Sequence, residues 1–546
     1  MVSHVAVSGL AYAHPGGELL FDEVSFRLSP GDRAALVGVN GVGKSTLLRV
    51  IAAELEADEG EAAIGGRFAV MAQDVGADGT RTVRELLLSV AEPRLRVTGG
   101  RMLAAEGALA GGDPDTGMAL GTAIGDWSDA GGYELEGRWD AACRRIVRSG
   151  FGDLADRPAS TLSGGERKRL VLDLLFDSDA QVLLLDEPDN FLDVPAKAWL
   201  ADLLARTRKT VLFISHDRAL LTEAARSVVT LEGHGAWVHG AGYATYSKAR
   251  EERQRRLGDA VQRWKEEERR LHGLMKTFKE RAKYSPVWAK KADAMETRWR
   301  RFAAPGPPPA PVADQQIKVR IRGADSARRV VDLRAVGIDG LVRPFSEEIH
   351  FGERVGLIGP NGSGKTHLMR LLAGEPIPHT GEVVIGNRVS PGFFTQLNAR
   401  PDFAGQVVLE VVHKRVGNDE AALRALGRYG LAEAARRPYE TLSGGQKARL
   451  EILCLELEGH NLLLLDEPTD NLDIESSEAL EGALDGFEGT VIAVSHDRAF
   501  LERLDRFLLL AHDGTVFALP EPAAALDALL RPGEVGRVRL AKALSG

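Results

Sequence analysis

Residues 38–45 read GVNGVGKS after the apolar run 34–37, and residues 359–366 read GPNGSGKT after the apolar run 355–358. Each run is short and aliphatic, each loop has the pattern GxxxxGK[ST], and apolar residues at helical spacing follow. The sequence therefore predicts a strand, a phosphate-binding loop and a helix, twice. Gly38, Gly41 and Gly43, like Gly359, Gly362 and Gly364, let backbone N–H groups converge at the positive end of the following helix, where phosphate oxygens bind. Lys44 and Lys365 reach the β- and γ-phosphates of a nucleotide, and the hydroxyls of Ser45 and Thr366 are placed for Mg²⁺. Asn40 and Thr46 in the first loop and Asn361 in the second are counted with the nucleotide-binding set.

Outward from these loops, the same motifs recur in the same order. Gln73, LSGGE (162–166), VLLLDEP (182–188) and SHDR (215–218) follow the first loop; Gln396, LSGGQ (442–446), LLLLDEP (462–468) and SHDR (495–498) follow the second. Ser163 to Asp186 and Ser443 to Asp466 are both 23 residues, and Asp186 to His216 and Asp466 to His496 are both 30. Such an internal repeat predicts two domains of one kind.

The runs 182–185 and 462–465 are wholly apolar, as in a parallel strand buried on both faces, and each ends in Asp-Glu. Asp186 and Asp466 fall beside the metal. Glu187 and Glu467, adjacent to it without ligating it, can orient and deprotonate a water. The SHDR motifs follow apolar strands, which puts His216 and His496 at strand ends where open α/β sheets collect ligands.

Bulk properties agree. A chain of 546 residues exceeds the roughly 250–300 over which one core grows. With 44% hydrophobic and 27% charged residues, neither a disordered nor a fibrous class is indicated. Cys143 and Cys454 form no CxxC pair, so zinc ribbons, iron–sulfur clusters and disulfide frameworks are not suggested. The start, MVSHVAVSGL, has no secretory pattern, and no apolar run approaches the ~20 residues of a membrane span. A cytoplasmic ATPase is the expectation.

LSGGE and LSGGQ resemble the signature of the ATP-binding-cassette superfamily. The resemblance implies two P-loop cassettes that pair head to tail within one chain, so that each ATP with its Mg²⁺ lies between the P-loop of one cassette and the signature of the other. One site then combines Lys44, Asp186, Glu187 and His216 with Ser443, Gly444 and Gly445; the other combines Lys365, Asp466, Glu467 and His496 with Ser163, Gly164 and Gly165. Gln73 and Gln396 join the metal ligands, and two hydrolytic sites are expected. Tyr12 suits an adenine-stacking aromatic, whereas the stretch near Ala335 and Val336 offers none. His367 replaces the second hydroxyl of the loop, and DNFLD and TDNLD stand where TNHLD is common.

The segment between the cassettes separates the branches of this superfamily. Leu257, Val261, Trp264, Leu271, Met275 and Phe278 fall on one helical face, with Glu268 as a break; Trp288, Ala292, Met295, Trp299 and Phe302 fall on another. Two antiparallel helices are predicted, with a tip near 279–286 and a proline-rich spacer at 304–312; some 30 residues would project roughly 45 Å. Residues 248–301 carry 18 Lys and Arg against 9 Asp and Glu, a net +9, which leaves −18 for the rest of the chain's −9. Lys276, Lys279, Arg281, Lys283, Lys290 and Lys291 are the candidates for RNA contact.

This arrangement resembles the ABC-F family, whose linker hairpin is directed from the ribosomal E site toward P-site tRNA and the peptidyl transferase centre. The resemblance implies a monomeric, cytoplasmic, ribosome-binding ATPase acting in translation or in protection against macrolide- or lincosamide-type antibiotics. The competing expectation is an ATPase subunit for a separately encoded drug exporter. Gln73 to Ser163 spans 43 residues more than Gln396 to Ser443, which places an arm-like insertion at about 90–132. The expected organisation is cassette one at 1–243, a helical-hairpin linker at 244–312, cassette two at 313–525 and a short tail at 526–546.

Overall fold

The strands Val182–Asp186 and Thr210–Ile214 are buried at every residue, as are Leu462–Asp466 and Thr490–Val494. This is why their sequences show no polar alternation. The computed structural model describes residues 3–17, 19–73, 75, 81–110, 116–233, 235–284, 286–311, 327–394, 400–470 and 472–530. These divide into one unit of Met1–Val238 with Gln316–Gly546 and a second of His239–Gln315.

Within the first unit the two repeats have the same topology. A six-stranded sheet runs in the order Phe68–Met71, Val182–Asp186, Thr210–Ile214, Arg33–Val37, Ser227–Glu232, Gly235–His239. Its counterpart runs Pro391–Phe394, Leu462–Asp466, Thr490–Val494, Arg354–Ile358, Arg506–Leu510, Val516–Leu519. In that second sheet the first five strands are parallel and the last is antiparallel. Beside each lies a three-stranded antiparallel sheet: Leu19–Leu28, His4–Ala13 and Glu59–Gly65 in one, Val342–His350, Arg329–Ile338 and Thr380–Ile385 in the other. The P-loops leave the central strands Arg33–Val37 and Arg354–Ile358 and open the helices Lys44–Ile51 and Lys365–Leu372. Phosphate-binding backbone therefore sits at the carboxyl edge of each sheet.

The insertion expected at about 90–132 contains the helices Pro93–Ala110 and Thr116–Asp129, and the helix Gly132–Ile146 follows. Trp127 and Trp139, each 1% exposed, anchor this layer, and Trp139 meets Phe151 edge-on. The helix Pro522–Leu530 crosses residue 526, where the sequence suggested a separate tail. Its Ala525, Ala528 and Leu529 are buried in a cluster that also takes in Val194 of the first repeat.

The second unit is a hairpin of Tyr246–Ala282, a short 3-10 turn Pro286–Trp288 and Ala289–Ala303. Its first helix, at 37 residues, is longer than the apolar spacing suggested and spans about 55 Å. The aromatic residues at helical spacing hold the two helices together. Trp264 stacks on Phe302 with ring centroids 5.7 Å apart, and Phe278 on Trp288 at 5.5 Å. Glu268, the apparent break in the apolar face, accepts the Trp299 indole N–H at 2.9 Å. A buried-edge tryptophan needs such a partner.

Candidate nucleotide sites

Two cavities lie between the repeats of the first unit, of about 370 and 450 Å³, within the range of small-ligand pockets. The first is lined by Asn40, Gly41, Gly43, Lys44, Ser45, Thr46, Gln73, Glu187 and His216 of one repeat and by Ser443, Gly444 and Gly445 of the other. The second is lined by Asn361, Gly362, Gly364, Lys365, Thr366, Asp466, Glu467 and His496, with Ser163, Gly164 and Gly165 from the first repeat. Each P-loop thus faces the other repeat's signature. Gln396 lies outside the described residues.

Four sequence candidates stand back from the cavities, among them Asp186, which is absent from the first lining although its counterpart Asp466 lines the second. Gly38 and Gly359 are packed behind the loops: a Cβ at either would come within 2.4 Å of the Leu231 carbonyl or 2.3 Å of the Leu510 carbonyl. Glycine is required there by the neighbouring strand as well as by the turn. Tyr12 stacks on Phe21 and meets His14 edge-on, and it is His14 with Leu20 that faces the cavity. Strand register makes Ile338 the counterpart of Tyr12, since Tyr12 pairs with Phe21 and Ile338 with Val342; Leu341 and His367 line the second cavity instead.

The local geometry of each site follows from its sequence. Gly43 and Gly364 adopt φ of 101° and 94° as the residues before the helices, a conformation that costs other residues free energy. Lys44 Nζ donates to the carbonyls of Gly38 at 2.8 Å and Val39 at 3.1 Å, and Lys365 Nζ to those of Gly359 at 2.8 Å and Pro360 at 3.0 Å. Burial brings the Lys44 ammonium down to about 8 against the pull of Glu187, Asp473 and Asp186. The signatures are capping boxes. Ser163 Oγ accepts the Glu166 N–H at 3.2 Å while Glu166 accepts the Ser163 N–H at 2.8 Å; Ser443 and Gln446 do the same at 3.3 and 3.1 Å. The fifth signature residue therefore secures the helix start whose free N–H groups face the opposite P-loop.

Glu187 and Glu467 follow fully buried strands with φ of 47° and 51°. Left-handed backbone at a glutamate is strained, and it recurs at the same place in both repeats. Glu187 accepts from Gln73 Nε2 at 2.6 Å and from the Asn190 amide, and burial beside Asp186 raises its pKa. Burial, then Asp470, push Glu467 up to about 8. His216 is driven down to about 3 by burial and by Lys44, so its ring is neutral.

ATP with its metal fits what these sites leave unsatisfied. Both ring nitrogens of His216 are buried without a hydrogen-bond partner among the described residues. Both Asp466 carboxylate oxygens are likewise buried without a well-formed hydrogen bond, although the Thr366 hydroxyl is close enough to favour the charged form. Buried polar atoms of this kind call for a ligand.

The repeats are also joined directly. Asn40 N–H donates to Asp473 Oδ2 at 3.0 Å and Asn361 Nδ2 to the Phe191 carbonyl at 3.2 Å. Arg218 forks onto Glu481, which is 0% exposed and also takes Arg503 at 3.1 Å. Removing one partner of such a pair strands a buried charge. Among the described residues, no helix is long and apolar enough to cross a membrane.

Comparison with known proteins places this architecture. Residues 21–190 and 342–470 match the family described as "ABC transporter". The chain is 42% identical to an "Antibiotic resistance protein" of Mycobacteroides abscessus over 95% of this chain and 100% of that one. It is 33% identical to "Tylosin resistance ATP-binding protein TlrC" of Streptomyces fradiae (91% and 95% covered), and 31% identical to "Energy-dependent translational throttle protein EttA" of Mycobacterium tuberculosis (89% and 88%). Among solved structures it shares the fold of "RNase-L Inhibitor", with a TM-score of 0.59 at 19% identity over 97% of this chain and 93% of that one. With two cassettes of the ATP-hydrolysing kind and a helical segment between them, the chain belongs to the ATP-binding-cassette family, in its ABC-F branch.

Proposed function

We propose that the chain binds the ribosome from the E site in its ATP-bound, paired state, presents its hairpin toward P-site tRNA and the peptidyl transferase centre, and leaves after hydrolysis. It acts there in translation or in protection against macrolide- or lincosamide-type antibiotics, in the cytoplasm and as a monomer. Lys44 and Lys365 bind the phosphates and Glu187 and Glu467 take the proton of the attacking water; His216 and His496 report the γ-phosphate, and the opposite signature helices complete both sites. Ser45, Asp186 and Gln73, and Thr366, Asp466 and Gln396, would hold Mg²⁺, which neutralises phosphate charge when bound.

The observation that carries the ribosomal reading is the allocation of side chains in the hairpin. Trp264, Phe278, Trp288, Trp299 and Phe302 are used to close it, and Leu271, Met275 and Ala292 are buried. Lys279 pairs with Glu296 at 2.7 Å, and Lys291 and Arg281 lie over the Trp288 ring at 4.6 and 5.3 Å. At the tip Tyr284 is 90% exposed, and Lys276, Lys283 and Lys290 make no ion pair among the described residues. A basic, aromatic-bearing tip suits phosphate and unstacked bases. The names of two relatives, which speak of resistance, and of a third, which speaks of translation, support the same reading.

The test is to replace Lys276, Lys283 and Lys290 with Glu and measure binding to purified 70S ribosomes across a salt series. Affinity and its salt dependence should both fall, with ribosome-free ATPase unchanged; unaltered affinity would contradict the role of the tip. Removal of residues 279–286 should likewise abolish drug protection in a sensitive host, and protection that survives would overturn that part of the proposal.

A further inference from the structure

Lys197 is buried, yet it belongs to neither catalytic set. It lies in the first turn of the helix Val194–Arg206, whose start is capped by Asp193 accepting the Ala196 N–H at 3.0 Å. A cation in that turn opposes the helix dipole, so helix stability does not call for it. Its ammonium is 3.0 Å from Asp217 Oδ2, in the motif that carries His216, and donates at 3.3 Å to the backbone carbonyl of His496. One side chain thus joins the two histidine segments. The corresponding position of the second repeat, four residues after the cap Asp473, is Ser477, which lines the first cavity.

Two departures from the common TNHLD pattern surround the same ammonium. Asp189 and Asp470 line both cavities, and so does Lys197. Burial raises each aspartate to about 6, and Lys197 is the strongest charge pulling each back down. Burial acts against the ammonium in turn, but Asp217, Asp189, Asp470 and Asp497 outweigh it and hold it above its ordinary value. A buried charge cluster of this kind resists displacement of any one member, because each would be left uncompensated.

We propose that Lys197 is a positioning residue that couples the two nucleotide sites, making movement of one histidine segment mechanically dependent on the other. The proposal rests on the reading of both cavities as ATP sites. With the second site trapped, the bridge holds the first site's histidine segment in place and slows its turnover.

The experiment measures steady-state ATPase of the full chain in the Glu467→Gln background. Glu467→Gln alone should fall to well under half of native turnover. Adding Lys197→Met should raise it at least about fivefold, whereas Lys197→Arg should leave it low. A gain of turnover is not what simple destabilisation produces. If Lys197→Met misfolds, the triple change Lys197→Met, Asp189→Asn, Asp470→Asn removes the cluster's charges together and is read in the same way. No gain from either variant, or a Glu467→Gln chain that keeps half of native turnover, would overturn the coupling. Nucleotide stoichiometry of the Glu187→Gln, Glu467→Gln chain separates the two readings: fewer than two ATP per chain means the two-site reading fails, and with two per chain the turnover comparison decides the coupling.

Discussion

In the first cavity Glu187 is held by the side-chain amides of Gln73 and Asn190, while His216 makes no hydrogen bond among the described residues. In the second, Glu467 accepts the His496 backbone N–H at 3.0 Å, and the His496 ring reaches Asn361 Oδ1 at 3.2 Å. The signatures differ as well. Ser163 donates its hydroxyl to the Glu166 carboxylate at 2.7 Å, which brings a negative charge to the helix start facing the second P-loop; the first P-loop faces the neutral Gln446. The same series of motifs, equally spaced from signature to histidine, has been built into sites with different charge and different reserves of unsatisfied hydrogen bonding. The difference lies in the second neighbours of the catalytic groups, which tune ground states more than they set roles.

Replacing both Glu187 and Glu467 with Gln tests what the sites share. Phosphate release should fall on the order of a hundredfold or more, with ATP still retained in filter binding; residual turnover above a tenth would place the base elsewhere. The next test separates the sites by pH. In the Glu187→Gln chain, turnover should rest on the proposed base Glu467, which would act deprotonated and whose pKa is raised to about 8. Its ionised fraction grows with pH through that value, so turnover should rise about fivefold between pH 7 and 8. A flat profile would mean that Glu467 is not the titrating base.

Smaller effects sharpen the comparison. In the same background Glu166→Gln removes the carboxylate beside the second site's phosphates, and the KM for ATP should drop about threefold. An unchanged KM would show that the signature's charge is screened. In the Glu467→Gln chain, His14→Ala should raise the KM for ATP about twofold through loss of a ring beside the base, and no change would return that role to Tyr12.

Much of this molecule was legible from spacing. The P-loops, signatures, Asp-Glu pairs and histidines are local patterns on strands whose burial leaves little choice of residue, and the hairpin's aromatic residues lie at helical intervals. What stayed hidden depends on chain segments far apart in sequence. Lys197 and His496 are 299 residues apart, and nothing around either residue points to the other. Asp189 and Asp470 were visible as departures from TNHLD, but their common partner was not. Glu268 read as a flaw in an apolar face because its indole partner lies across the hairpin. The left-handed backbone of Glu187 and Glu467 carries no sequence mark, since glycine is the usual sign of that conformation and glutamate is not.

Co-sedimentation of the Glu187→Gln, Glu467→Gln chain with purified 70S ribosomes, with and without ATP, tests most directly the claim that ATP-driven pairing of the cassettes engages the ribosome. Pelleting with ATP and little without it is the expected result. A chain that binds ATP yet stays in the supernatant in both conditions would contradict that claim and point instead to a separately encoded membrane partner.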